Sequence, residues 1–257
     1  IDQEKVLNFT FNGQILKGYE GDTLASALLA NNKHLIGRSF KYHRPRGIVT
    51  AGSEEPNAIM EIGNGAYREP NTRATVTKLY NGLEANSQNH RGPLSFDFMA
   101  ITDFLSPLLG AGFYYKTFMW PKAFWEKFYE PAIRKSAGLG TLATEADPDT
   151  YDKGFRHCDI LIIGSGATGL SAALTAAESG AKIILADEDF LMGGRLNSET
   201  NKIDGMAGSE WAKKTVAKLS AMENVTLMSD TTVFGAYDHG IYGALENRDS
   251  EAREDND

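Results

Sequence analysis

The run Asp159-Ile-Leu-Ile-Ile-Gly164-Ser-Gly166-Ala-Thr-Gly169-Leu-Ser-Ala-Ala173 decides the fold of this chain, together with Gly180 and with Lys182-Ile-Ile-Leu-Ala-Asp187-Glu188 up to Gly193-Gly194. It reads as a strand, a glycine-rich turn, a helix, a second strand and an acidic residue. That order makes one half of a dinucleotide site, and each piece has a mechanical role. Gly164 lets the backbone turn sharply off the strand. Gly166 lacks a Cβ, so a pyrophosphate can approach the main chain. Gly169 lets the helix lie tight on the sheet. The first helical residues, Ala167 and Thr168 among them, offer free N–H groups and a partial positive charge to phosphates. Asp187 ends the second strand, where a carboxylate accepts both hydroxyls of an adenosine ribose and repels a 2′-phosphate. NAD or FAD is therefore favoured over NADP.

A bare GxGxxG is a weak signal. Here the context strengthens it: the preceding strand is apolar, small Ala173 lies four residues past Gly169 on the sheet-facing side, and Gly180 closes the helix. Working outward, Gly193-Gly194-Arg195 is a second glycine pair able to approach the pyrophosphate. Ser209 is placed to cap a helix from Glu210 to Met222, and Val225–Met228 reads as a third parallel strand. Thr232–Tyr237 and Ile241–Leu245 flank Asp238-His239-Gly240 as a hairpin. No strand returning to the parallel sheet follows, so the Rossmann-type domain, residues 156–257, reads as incomplete. The dinucleotide contacts expected are Gly164, Gly166, Ala167, Thr168, Gly169, Asp187, Glu188, Gly194 and Arg195.

Toward the N-terminus, residues 1–92 read as a small β-grasp, ferredoxin-like domain, giving the chain a mixed α/β and α+β class. Val6–Phe11 and Gln14–Gly18 form a hairpin across Asn12-Gly13. Thr23 caps a helix running to Asn31 or Asn32. A long loop from Gly37 to Pro56 follows, and strands return at Ala58–Ile62 and Ala74–Lys78. The loop carries Arg38, Lys41, His43, Arg44 and Arg46. It either receives a phosphate, a carboxylate or an acidic partner, or is a solvated loop whose arginines pair with Glu54 and Glu55. Ferredoxins of this shape hold an iron–sulfur cluster with cysteines from that loop; Ala51, Gly52 and Ser53 cannot replace thiolates, so no cluster is expected.

Residues 93–155 join the two domains as an aromatic arm and linker. Residues 94–131 hold twelve of the chain's 26 aromatics (13 Phe, 10 Tyr and 3 Trp), among them Phe113, Tyr114 and Tyr115. Pro107, Pro121, Pro131 and Gly110 break the arm into short helical pieces. An arm this aromatic is too large to bury on a small β-grasp domain; it packs against another subunit or fills the space between the two domains. Residues 136–153 read as an exposed linker.

Composition excludes several classes. The 257 residues carry a net charge of −8 with no basic stripe, which argues against nucleic acid. No apolar run approaches the ~20 residues of a membrane span. The single cysteine, Cys158, rules out a disulfide framework, reads as a packed thiol and suits a reducing cytoplasm. The chain begins at Ile1 rather than Met, so a preceding segment is expected. The histidines, His34, His43, His90, His157 and His239, have no metal-binding spacing, and only His43 lies in suggestive company. No metal site and no catalytic residue are expected.

Gly37-Arg-Ser-Phe-Lys-Tyr-His-Arg-Pro-Arg-Gly47, Glu54–Ala58, Asp159–Gly194 and Thr232–Gly235 together resemble the N-terminal part of the α subunit of the heterotetrameric sarcosine oxidase family. Related α subunits of hydrogen cyanide synthase and of opine or D-proline dehydrogenases are similar, some with the cluster cysteines, whose absence here points to the sarcosine oxidase branch. The resemblance covers essentially the whole chain and implies NAD at the glycine fingerprint, with FAD the alternative. It also implies FMN at the interface with β, FAD on β, and a tetrahydrofolate site outside this chain. The implied partners are the β, γ and δ subunits, and the implied reaction is oxidative demethylation of sarcosine to glycine with methylene transfer to tetrahydrofolate and H2O2 formation. The family's α subunit is several hundred residues longer. The chain is thus expected to be a truncated product, a proteolytic fragment or one piece of a split subunit, without independent catalysis.

Overall fold

The computed structural model describes residues 1–112, 118, 120–136 and 140–247. Phe113, Tyr114 and Tyr115 of the arm, three linker residues and the acidic stretch Glu251–Asp257 lie outside the described residues. Two compact units divide the chain: Ile1–Thr50 with Glu55–Asp149, and Ala51–Glu54 with the described part of Thr150–Asp257.

In the first unit, β1 (Asp2–Phe11) and β2 (Gln14–Glu20) pair antiparallel, with Phe11 opposite Gln14. The two-residue turn takes Asn12 and Gly13 to φ values of 50° and 76°. Positive φ at both positions matches the twist of the flanking strands, which is why Asn-Gly suits it. Helix α1 (Leu24–Ala30) starts at Thr23, whose side chain accepts from the Ser26 N–H while Ser26 Oγ accepts from the Thr23 N–H, a complete capping box. Leu24, Ala25, Ala27 and Leu28 bury one face of α1 against Phe9, Phe11, Met60, Leu79 and Leu83.

A two-residue ladder joins β3 (Gly37–Arg38) to β4 (Pro45–Arg46). The main sheet continues with β5 (Ile59–Ile62), β6 (Glu69–Arg73) and β7 (Glu84–Ser87), in the order β2-β1-β7-β5-β6, with β1 and β7 parallel. This is the expected β-grasp arrangement, but two strands differ from the sequence reading. Ala74–Lys78 is a turn with Ala74 and Thr75 buried and an isolated bridge from Lys78 to Thr23, not a strand. Its carbonyls serve α1 instead: the Leu24 and Ala25 N–H groups donate to Thr77 O and Ala74 O. Those are helix N-terminal donors without partners inside the helix. The strand roles fall to polar Glu69–Arg73 and Glu84–Ser87.

Short helical turns follow, as the prolines suggested: 3₁₀ turns at Phe98–Ala100, Ser106–Leu108 and Lys122–Phe124, α2 (Ile101–Phe104), a π turn at Trp125–Tyr129 and α3 (Glu130–Ser136).

The second unit is built on β8 (Ile160–Ile163), α4 (Ala167–Glu178) and β9 (Ile183–Ala186). The small ladder β10 (Lys202–Ile203) and β11 (Met206–Ala207), α5 (Gly208–Ser220) and β12 (Val225–Met228) complete its layers. The sheet is all parallel in the order β12-β9-β8, so Val225–Met228 is the third strand as read from sequence. Leu170, Ala173 and Ala177 of α4 and Ala212 and Leu219 of α5 pack with Ile183 and Leu185 of β9. Ser209 does not cap α5. The helix begins two residues earlier than expected, at Gly208, after Ala207 and without a side-chain cap. The hairpin β13 (Thr231–Tyr237) and β14 (Ile241–Glu246) turns through His239 and Gly240, both at positive φ.

Candidate functional site

The glycine fingerprint joins β8 to α4. Its three glycines have separate surroundings, set by what a Cβ would meet. Gly164 sits at φ +97° with open space about it, so only its backbone conformation demands glycine. Gly166 precedes the first helical residue at an ordinary φ of −63°, and a Cβ there would meet nothing within 4 Å. The opening is a cradle that a side chain would fill. At Gly169 a Cβ would fall 1.9 Å from the Gly164 carbonyl oxygen, so helix and turn touch directly. No side chain caps α4, and its first-turn N–H groups, from Ala167 onward, face the space beside Gly166.

Asp187 follows β9, where its main chain is paired on both sides: its N–H donates to Met228 O, and its carbonyl accepts from the Thr231 N–H. Its carboxylate reaches the fingerprint, Oδ2 accepting from the Ser165 N–H at 2.5 Å and Oδ1 from the Asp189 N–H at 2.8 Å. Each oxygen keeps acceptor capacity, because a carboxylate carries about four lone-pair sites. Glu188 is next in the loop and half-buried. Burial, and then the charge of Asp187 and Asp230, push the Asp189 carboxyl up to about 6 against the opposing hydrogen bonds from Leu191 and Phe190.

Gly193 (φ +128°) and Gly194 (φ +53°) form the second glycine turn, and a Cβ on Gly194 would lie 3.2 Å from Gly166 Cα. Fingerprint and second turn therefore face each other at backbone contact distance. Arg195 is exposed and pairs with Glu199 at 2.8 Å. The residues expected from sequence are thus brought together at one end of the parallel sheet, except that the Arg195 guanidinium is engaged with a neighbour on its own turn. Sequence reasoning missed Ser165. Its hydroxyl, wholly buried, accepts from the Gly193 N–H at 2.9 Å. The signal available was its position between the first two glycines, which fixes proximity to the turn but not the partner.

Arg38 and Arg44 of the basic loop pair with residues of the segment after β7 rather than with Glu54 and Glu55. Arg38 donates to Leu94 O, Ser95 O and His43 O, and Arg44 to Asp103. Tyr42 donates to Leu109 O, with Lys41 and Arg44 over its ring at 4.9 and 4.7 Å. His43, 3% exposed at φ +54°, lies 2.5 Å from buried Asp97. Burial alone would raise the Asp97 carboxyl; N–H groups of Arg91 and Met99 and the His43 ring outweigh it and hold it low. The loop is a clamp on residues 91–110.

Glu55 is the second buried acid of this unit, 2% exposed. Val49, Thr50, Asn57 and Ala58 all donate backbone N–H groups to it. Burial would raise this carboxyl, and those four bonds instead hold it below its ordinary value. Cys158 is a free, half-buried thiol rather than a fully packed one. Among the described residues no cluster of three or more His, Cys, Asp or Glu could hold a metal, and no helix is long and apolar enough to cross a membrane.

Comparison with known proteins agrees with this geometry. Residues 4–90 match the family model described as a 2Fe-2S iron-sulfur cluster binding domain, and residues 159–239 match the model for FAD dependent oxidoreductases. Over 254 residues, 99% of the chain, it is 57% identical to the sarcosine oxidase subunit alpha of Rhizobium meliloti (strain 1021), covering 26% of that protein. The chain is a homologue of sarcosine oxidase alpha subunits. A second such homologue, from Corynebacterium sp. (strain U-96), is 32% identical over 96% of the chain and 21% of its own length. The chain thus spans about a quarter of the curated relatives it matches. Among solved structures, the L-proline dehydrogenase from P. horikoshii shares the fold, with a TM-score of 0.53 at 18% identity over 95% of this chain and 38% of its own.

The two groups implied by the family models fare differently. An iron–sulfur cluster does not fit: residues 4–90 contain no cysteine, and the loop at 49–58 closes on the Glu55 carboxylate. A dinucleotide fits: Gly166 leaves a cradle open, an uncapped helix N-terminus faces it and Asp187 stands beside it.

Proposed function

We propose that residues 156–257 hold the ADP part of NAD as a subunit region of a sarcosine oxidase. Gly164, Gly166, Ala167, Thr168, Gly169 and Gly194 would receive the pyrophosphate, Asp187 the adenosine ribose, and Glu188 and Arg195 the rim. The observation that carries this is the facing pair of glycine turns, joined through Ser165, with the Asp187 carboxylate hydrogen-bonded to the first of them. A bound dinucleotide supplies an ADP anchor here, and the residues of this chain bind and orient it.

The reaction proposed for the whole assembly is the one that the family resemblance implies, and the homologues' name, sarcosine oxidase, supports its amine substrate. Sarcosine gives up two electrons and its methyl carbon; oxygen takes the electron pair to form H2O2, tetrahydrofolate takes the methylene group, and glycine is left. FMN and FAD elsewhere in the complex would carry the electrons, and the folate site and the β, γ and δ subunits lie outside this chain. The working division is 1–92, 93–155 and 156–257, in a cytoplasmic enzyme, with the aromatic arm turned to other subunits. Exposed Phe96, Phe98, Ile101, Phe104 and Leu108 support that last role.

A second reading, FAD at the same fingerprint in an amine, proline or opine dehydrogenase, is favoured by the FAD dependent oxidoreductase match. Both cofactors share the ADP part that the fingerprint grips. Mass spectrometry of the small molecules released on denaturing this purified chain, free of the other subunits and their FAD, tests both. NAD in the supernatant is the expected result. A yellow chain releasing FAD would favour the second reading, and release of neither dinucleotide would overturn the binding claim.

A further inference from the structure

We propose that Ser165 is a positioning residue for the pyrophosphate cradle, latching the second glycine turn to the first. This rests on the dinucleotide reading above. Three observations carry it. Ser165 is wholly buried, so it cannot touch a ligand itself. Its Oγ accepts from the Gly193 N–H at 2.9 Å, across 28 residues of chain. Its own N–H donates to Asp187 Oδ2. One residue therefore ties together the turn that leaves β8, the acid after β9 and the turn that follows it.

The geometry explains why a latch is needed. Gly193 is at φ +128° and Gly194 at φ +53°, conformations that glycine visits freely and therefore leaves readily. A flexible turn can shape a cradle for phosphates only if something fixes it, and preorganised N–H groups bind anions better than groups that must be ordered on binding. Fixing the Gly193 N–H on Ser165 holds Gly194 against Gly166, where a Cβ on Gly194 would come within 3.2 Å of the Gly166 backbone. The two turns then act as one wall. The pyrophosphate meets this wall; an adenosine held by Asp187 alone does not.

The test uses Ser165→Ala in the 257-residue chain, with two readouts. Hydrogen exchange on the ligand-free protein should show faster exchange at 189–197 and unchanged exchange in α5. Calorimetric titration should show about tenfold weaker binding of ADP, the loss expected when one buried N–H is left without its acceptor, and adenosine affinity within twofold of the parent. Unchanged exchange at 189–197, or equal loss for ADP and adenosine, overturns the latch. If the parent chain binds neither ADP nor adenosine, the dinucleotide reading falls and the cradle role falls with it, while the exchange result still decides whether the serine holds the turn. Should Ser165→Ala fail to fold, Ser165→Thr and Ser165→Val carry the same extra bulk and differ in the hydroxyl; only the threonine variant should retain ADP binding, and equal affinities would overturn the proposal.

Discussion

Gly166 and Gly169 stand three residues apart and are glycine for opposite reasons. Gly166→Ala adds a methyl to empty space at an allowed backbone conformation, so the unfolding temperature should hold or rise slightly, as for other strain-free Gly→Ala changes. The same methyl occupies the phosphate cradle, so dinucleotide affinity should drop at least tenfold by calorimetry. Gly169→Ala drives a methyl into the Gly164 carbonyl and should cost about 1–3 kcal/mol of stability, as overpacking does. Thermal unfolding of the two variants side by side checks the contrast.

Glu55 makes a second prediction at this scale. Its carboxyl is held below the unfolded value by four N–H donors, despite burial that would raise it. A depressed acid contributes stability that is present above its unfolded pKa, about 4.3 for Glu, and lost as pH falls through the folded value. Glu55→Gln should thus be destabilised at pH 7, by about 1–3 kcal/mol for a buried acceptor oxygen replaced by a donor. The gap from the parent should narrow below pH 4. Denaturant melts at pH 7 and pH 3.5 measure it; a gap of equal size at both would count against the ionised carboxylate as the cause.

Among the elements, the loop between β3 and β4 shows what a family-specific motif can be for. Arg38, Lys41 and Arg44 are spent on the chain itself. Arg38 satisfies three backbone carbonyls, two of them in the segment after β7, and so decides where the arm begins. Arg38→Ala leaves those acceptors unmatched and should open residues 91–110 to limited proteolysis, with the β-grasp core, which Arg38 does not enter, still protected. Arg38→Lys should give an intermediate rate, because an ammonium cannot reproduce the planar fork.

The strands divide by how visible they were. Val6–Phe11 and Ile183–Ala186 carry continuous or alternating apolar residues. Glu84–Ser87 is a central strand and almost wholly polar; it is held by pairing with two neighbours and by Asn12, which accepts from the Ser87 N–H and hydroxyl. No local pattern marks such a strand. Ala74–Lys78 misled for the converse reason: buried Ala74 and Thr75 resemble a strand, but the carbonyls of Ala74 and Thr77 are used by a helix end. The fingerprint turn was legible because glycine at fixed spacing states a steric demand directly. Ser165 was not, because its partner Gly193 is distant in sequence.

Seen as a whole molecule, the chain carries an apolar surface that its described residues leave uncovered. Phe104 is 87% exposed, with Phe96, Phe98 and Leu108 exposed on the same clamped segment. A side chain so exposed contributes little to the fold, so Phe104→Ser should leave the unfolding temperature of the chain unchanged, within about 0.5 kcal/mol. If the arm serves assembly, the same change should weaken recovery of the complex in a pull-down with the other subunits. Full recovery would remove the arm from the interface.

By itself the sequence determined the β-grasp hairpin and capped helix, the strand–turn–helix–strand core, the dinucleotide fingerprint and the lack of cluster ligands. Each is a local demand, met by residues adjacent in the chain: positive φ at Asn-Gly, a missing Cβ at Gly166, an absent thiol at 51–53. Tertiary structure alone decided that polar Glu84–Ser87 lies mid-sheet, that the basic loop clamps the arm, that Glu55 gathers four amides and that Ser165 joins the two glycine turns. Those depend on groups distant in sequence meeting as hydrogen-bond partners. A buried donor or acceptor must find one, but nothing in its neighbouring residues says where.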